Sequence, residues 1–257
     1  MNSFLASLII AMIQGITEWL PVSSSGHLVL AERILNYDSH LMFDVALHFG
    51  TLMSVFVYFG RDISNIFEEV VKLRFDTENG KLGLFILISC IPAGIVGFLF
   101  KDVFEGIFYD LRVVAIGFGV TGLLLIVASL DLKIKRKDLN VKDSFFIGLA
   151  QIFSIFPGVS RSGTTITASL FSGLDEKKAL RFAFLMSIPV IFGANLVVIG
   201  NQKLPKELIW ATLVAFVFGL ISINLLYKRI LTTRKNLRWF GIYALLLSIV
   251  LNIILFF

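Results

Sequence analysis

Five stretches of this 257-residue chain, 82–100, 113–130, 182–202, 208–227 and 239–257, contain no charged side chain, and each is close to the roughly 20 residues a helix needs to cross a bilayer. Hydrocarbon offers backbone groups no partners, so such stretches must satisfy their own hydrogen bonds as helices. A sixth, about 41–60, is interrupted by Asp44 and His48, one helical turn apart, and these two side chains should face the protein interior. Composition agrees, with 57% hydrophobic and 16% charged residues, which excludes a soluble globular domain and a disordered chain. The single Cys90 excludes a disulfide scaffold. No Lys or Arg precedes Arg33, so the first apolar run lacks the basic flank of a cleavable signal peptide and is expected to be mature sequence.

Two further apolar regions are broken. Residues 1–17 and 19–31 are separated by Glu18 and interrupted by Pro21-Val22-Ser23-Ser24-Ser25-Gly26-His27; residues 144–160 and 162–174 repeat the design around Pro157-Gly158-Val159-Ser160-Arg161-Ser162-Gly163. The 13-residue arms that follow each break would rise about 20 Å as helix, too little for a core of about 30 Å. Both regions read as re-entrant helix-turn-helix hairpins. An offset of 137 residues superposes them, matching Ile10/Ile147, Gln14/Gln151, Val22/Val159, Ser23/Ser160, Ser25/Ser162, Gly26/Gly163 and Ala31/Ala168. The expected fold is thus all-α and integral to the membrane, with about six transmembrane helices plus the two hairpins. It forms a single membrane domain over 1–257, built from inverted-topology repeats at approximately 1–131 and 143–257.

The excess of basic over acidic residues, +5, reads as positive-inside loops, and no nucleic-acid partner is expected. Segments 61–81, 133–142 and 228–238, with Lys177, Lys178 and Arg181, hold seventeen of the 23 Lys and Arg. They should be cytoplasmic, with both termini outside. Arg33, Lys101, Arg112, Lys203 and Lys206 fall on the opposite side, and Arg161 lies inside a hairpin.

Polar groups at membrane depth mark function, and here they gather at the two breaks. Gln14 and Glu18 are i and i+4 on one helical face. If the two tips meet, they form an anion site of the kind that suits a phosphate ester or anhydride. Arg161 offers bidentate donors, the hydroxyls of Ser23, Ser25, Ser160, Ser162, Thr164 and Thr165 surround it, and N–H groups flanking Gly26 at a helix start complete the cradle. His27 suits a general acid or base, with Ser24 a candidate nucleophile within its reach. Glu18 is placed either to orient His27 or, with Gln14, to hold a divalent metal, for which oxygen ligands suit magnesium or calcium. Broken helices in inverted repeats are also the plan of transporters and flippases, so carriage of a lipid phosphate is the alternative to its hydrolysis.

With Gln14-x-x-x-Glu18, the Pro21–His27 segment and Pro157-Gly158-Val159-Ser160-Arg161-Ser162-Gly163-Thr164-Thr165 in place, the chain resembles the undecaprenyl-diphosphate phosphatase family linked to bacitracin resistance, over its whole length. The resemblance implies a multi-pass enzyme of the bacterial plasma (inner) membrane that removes the terminal phosphate of a polyprenyl diphosphate lipid on the extracytoplasmic side. It implies dependence on a divalent metal, and it leaves a homodimer open. Carried onto these residues, it makes Glu18, His27 and Arg161 catalytic, Ser24 the nucleophile, and Ser160, Ser162 and Thr165 phosphate contacts. Attack by Ser24 and attack by an activated water both remain open on sequence.

Overall fold

The computed structural model describes residues 3–38, 41–130, 138–199, 207–230 and 233–256. Helix α1 (Ser3–Thr17) and α2 (Ser24–Leu35) form the first broken pair, and α3 (Leu41–Tyr58) follows. It turns through 86° into α4 (Gly60–Val71). Next come α5 (Glu78–Leu99), the short α6 (Lys101–Ile107) and α7 (Leu111–Ser129). The second broken pair is α8 (Val141–Ile152) and α9 (Arg161–Phe171), followed by α10 (Glu176–Ile199), α11 (Glu207–Leu225) and α12 (Leu237–Phe256). The helices α5, α7, α10, α11 and α12 are long and apolar enough to cross a membrane, and the bent α3–α4 pair meets the same measure only when its two helices are counted together. The chain is an all-α multi-pass membrane protein.

The arms of the broken pairs have 15, 12, 12 and 11 residues, at most about 22 Å of helix, so none reaches across a core of about 30 Å. Each pair is covered by a long helix from the other part of the chain. α11 packs on α1 and α3, and α5 packs on α8 and α10. α3 meets α10, and α7 meets α12. Buried Trp19 lies edge-on to Phe184 at 5.3 Å, within a core that also holds Leu52, Val55, Phe59 and Phe182. Asp44 is buried, as its place in an apolar span required.

Ion pairs gather the basic loops at one end: Arg181 meets Asp62 at 3.0 Å, Lys178 meets Asp138 at 2.9 Å, and Arg234 meets Glu176 at 3.6 Å. The hydrogen bond and charge of Lys178 hold the exposed Asp138 carboxyl below its ordinary range. Arg33, Arg112 and Leu255 share a cleft of about 540 Å³, and no residue of the basic segments lines it. Lys133, Lys135, Arg136 and Lys137 of the basic run, and Lys203 and Lys206, lie outside the described residues.

Candidate active site

The two breaks are built alike. Ser23 caps α2 by accepting from the Gly26 N–H at 3.3 Å, and Ser160 caps α9 by accepting from the Gly163 N–H at 3.0 Å. In both tips the capping hydroxyl lies 3.2 Å from the serine two residues on, Ser25 in the first and Ser162 in the second. The backbones differ. Ser23 sits at φ 70°, an unfavourable region for a residue with a side chain, whereas Ser160 has an ordinary φ of −72°.

The tips touch. Ser162 donates to the Leu20 carbonyl at 3.1 Å, and a Cβ on Gly26 would collide with Phe118 and crowd the backbone of Gly158. Gly158, at φ 88°, needs the freedom of glycine. Thr121 of α7 locks the second tip, donating to the Gly158 carbonyl at 2.9 Å and accepting from the Ser160 N–H at 2.9 Å.

Where they touch, everything converges on the carboxylate of Glu18, whose side chain is 5% exposed. Arg161, the first residue of α9, pairs with Oε1. Ser24, the first residue of α2, donates to Oε2 at 2.6 Å, and the Gln14 amide donates to the same oxygen at 2.9 Å. Nε2 of His48 stands 3.5 Å from Oε2. The guanidinium also lies 5.6 Å over the Trp19 ring, a cation–π contact. Its second terminal nitrogen is buried with no hydrogen-bond partner, as are Gln14 Oε1 and the Thr164 hydroxyl. An unpaired guanidinium N–H inside a membrane protein is costly and suits an incoming anion.

His27 stands slightly apart. Its Nδ1 donates to the Ser23 carbonyl at 2.7 Å, so Nε2 is the acceptor, and the Tyr243 hydroxyl of α12 donates to it at 2.7 Å. The bonds of Ser24 and His27 therefore do not run to each other, and Glu18 orients Ser24 rather than His27. Thr165 is buried and its hydroxyl turns back to the Arg161 and Ser162 carbonyls at 2.8 and 3.2 Å, shaping the start of α9.

Four participants were not assigned to the site from sequence. His48 carried a signal, a polar residue in an apolar span, but read only as facing inward. Trp19, Thr121 and Tyr243 carried none, since each is common in membrane helices and only packing brings it here.

The sequence profile of the bacitracin resistance protein BacA family matches residues 7–250. An undecaprenyl-diphosphatase of Thermosipho melanesiensis is 39% identical over 246 residues, covering 94% of this chain and 96% of its own. One from Methanococcus vannielii is 34% identical over 251 residues, covering 95% and 97%. Undecaprenyl-diphosphatase 1 of Pseudoalteromonas translucida is 39% identical over 267 residues, covering 98% and 99%.

Proposed function

The chain belongs to the bacitracin resistance protein BacA family, and from that premise we propose that it hydrolyses undecaprenyl diphosphate to the monophosphate and inorganic phosphate, recycling the lipid carrier of cell-wall synthesis. The observation that carries this reading is the Ser24 hydroxyl donating to a buried carboxylate at 2.6 Å beside a guanidinium with a free donor. A hydroxyl, a base and an anion anchor are what phosphoryl transfer needs. Transport of the lipid phosphate is not favoured: the relatives are named as diphosphatases, and binding alone does not require a carboxylate set against a serine.

Ser24 Oγ attacks the terminal phosphorus as its proton passes to Glu18 Oε2. The bond to the bridging oxygen breaks, and the lipid monophosphate leaves with that electron pair. Arg161, freed in part from Glu18 once the carboxylate is protonated, binds the non-bridging oxygens with its two terminal nitrogens. The tip hydroxyls and N–H groups of Ser23, Ser25, Gly26, Ser160 and Ser162 supply further donors. Water then attacks the phosphoserine and returns Ser24 to the hydroxyl. His27, neutral with its lone pair on Nε2, serves the second attack as base.

A divalent ion fits this pocket through Gln14 Oε1, an orphaned buried oxygen, and Glu18 beside it. Among the described residues no three His, Cys, Asp or Glu side chains cluster to cage an ion, so the diphosphate would supply the remaining ligands. When bound, magnesium or calcium would offset the charge developing on the leaving group. The matched caps of Ser23 and Ser160 support two related halves, 1–131 and 143–257. The basic loops gathered at one end support a plasma-membrane protein with that end cytoplasmic and the site reached from the extracytoplasmic side.

Purified protein in detergent, given undecaprenyl diphosphate and a divalent salt, should release inorganic phosphate. Binding without release would overturn the hydrolase reading.

A further inference from the structure

A hydroxyl in an apolar helix ordinarily turns back on its own backbone, as Thr17 does to the Ile13 carbonyl at 2.7 Å and Ser187 to the Phe184 carbonyl at 2.6 Å. Thr121, in α7, does otherwise. It is 1% exposed, and its hydroxyl donates to the Gly158 carbonyl and accepts from the Ser160 N–H, both in the second break. Two backbone groups of a non-helical turn, which hydrocarbon would leave unpaired, are closed by one side chain.

The rest of that face of α7 is shaped to the same turn. Val114, Gly117 and Thr121 are spaced i, i+3 and i+7, a single stripe of the helix. A Cβ on Gly117 would collide with the Pro157 carbonyl oxygen, and one on Gly158 with that of Val114, so backbone rests on backbone with no side chain between. Phe118 serves the other break: its ring stands edge-on to His27 with centroids 5.2 Å apart and lies against Gly26. α12 braces α7 in turn. Ser248 donates to the Ala115 carbonyl at 2.6 Å, and a Cβ on Gly122 would crowd the Gly241 carbonyl oxygen at 2.8 Å. One turn of a braced helix therefore meets both tips, Phe118 on the side of His27 and Thr121 on the side of Arg161.

We infer that Thr121 is a positioning residue for the reaction: it fixes where α9 begins, and with that the reach of Arg161 toward a phosphate held at Ser24. The role rests on the hydrolysis proposed above. Arg161 directly follows Ser160, whose N–H Thr121 receives, so a shift of the turn carries the guanidinium with it. Thr121 bonds to backbone and acts on the phosphate only through Arg161. A hydroxyl is required because the group must donate to one backbone atom and accept from another; Val has the same shape and does neither.

The test measures phosphate release per folded molecule for wild type, Thr121→Val and Thr121→Ser, alone and combined with Arg161→Ala, at a temperature below the unfolding of each in detergent. Misplacing a reacting group by about 1 Å costs about a hundredfold, so Thr121→Val should lose about that much in kcat with KM within about threefold. Thr121→Ser keeps both bonds and should recover kcat to within about threefold of wild type. In the Arg161→Ala background Thr121→Val should cost less than about twofold more, because the guanidinium it places is gone. Should Thr121→Val fail to fold, Thr121→Ala, which leaves room for a water to bridge the two backbone groups, serves in its place, with a loss of about tenfold or more expected and the same dependence on Arg161. Normal kcat per folded molecule overturns the inference and leaves Thr121 a residue of the fold alone. So does a full loss on top of Arg161→Ala, because the two residues then act independently. A wild type that releases no phosphate sinks the hydrolase reading itself, an outcome distinct from an active wild type indifferent to residue 121.

Discussion

Ser24 and Arg161 grip opposite oxygens of a single carboxylate, that of Glu18, and they occupy the same place in the two breaks, 137 residues apart and each the first residue of its helix. The second tip contributes the charge and the first contributes the hydroxyl.

Ser24→Ala should therefore abolish turnover almost as fully as Glu18→Gln, and the double variant should be little worse, since members of one catalytic unit are not additive. If water attacks instead, the loss reduces to one charge-assisted hydrogen bond, about 1.5–3 kcal/mol. More than about a tenth of normal activity in Ser24→Ala, a loss below about 1.4 kcal/mol, removes the serine from the nucleophile role. Acid quenching during turnover should trap a phosphoserine in the wild type.

Arg161→Lys should fail nearly as badly as Arg161→Ala. The guanidinium reaches Glu18 with one terminal nitrogen, keeps the other free and lies over Trp19; an ammonium cannot do all three. The expected cost is about 3–4 kcal/mol, or a hundred- to a thousandfold in kcat. In Arg161→Ala the buried Glu18 charge loses its guanidinium, so thermal unfolding in detergent should also shift downward, by a loss of about 3–5 kcal/mol. A Lys variant with near-normal turnover would make residue 161 a general cation.

Tyr243→Phe deletes the donor to His27 Nε2 while preserving the ring, which lies within 13° of the imidazole plane with centroids 5.7 Å apart. One neutral hydrogen bond is worth about 1 kcal/mol, so kcat should fall about fivefold and the His27 ring nitrogens should change their NMR shifts. Unchanged kcat and unchanged shifts would mean that the phenol only lines the edge of the helix bundle.

Gln14→Glu places a second carboxylate where the amide now donates to Glu18. If this pair holds the divalent ion, the variant should reach half-maximal activity at lower magnesium, and a chelator should silence both forms. A higher magnesium requirement in Gln14→Glu would take residue 14 out of the ligand set.

Topology is testable at both ends. With Cys90 replaced, cysteines at Asn140, the cap of α8, and at Lys235 should label only from the cytoplasm, and one at Arg112 only from outside. Opposite accessibility at any of the three refutes the orientation.

The fold was legible because its determinants are local and chemical. Length without charge announces a span, and a Pro-Gly-Ser run inside an apolar stretch announces a broken one. The residues of the site were legible for the same reason, as costly polar groups in lipid. Their wiring was not. Sequence proximity placed Ser24 beside His27, three positions apart, but α2 opens with Ser24 directed to Glu18, while His27 is drawn to the Ser23 carbonyl behind it and to Tyr243 from α12. Likewise His48 faces Glu18 only because α3 packs on α1, a fact with no signature in either segment. Short-range preferences decide which groups exist at a break; long-range packing decides which of them meet.

The exchange of covering helices sets an order on biosynthesis. Gly15 of α1 rests against the backbone of Ala215, and Ser222 of α11 donates to the Ile16 carbonyl at 2.8 Å, so the helix that carries Gln14 and leads into Glu18 packs on α2 and α3 early but lacks its α11 cover until about residue 222 has left the ribosome. Through much of translation the carboxylate of Glu18 has Gln14, Ser24 and His48 beside it but not yet the guanidinium of Arg161. Truncations that end before α11 should be recognised as misassembled and degraded, even though they contain Glu18, Ser24, His27, His48 and Arg161.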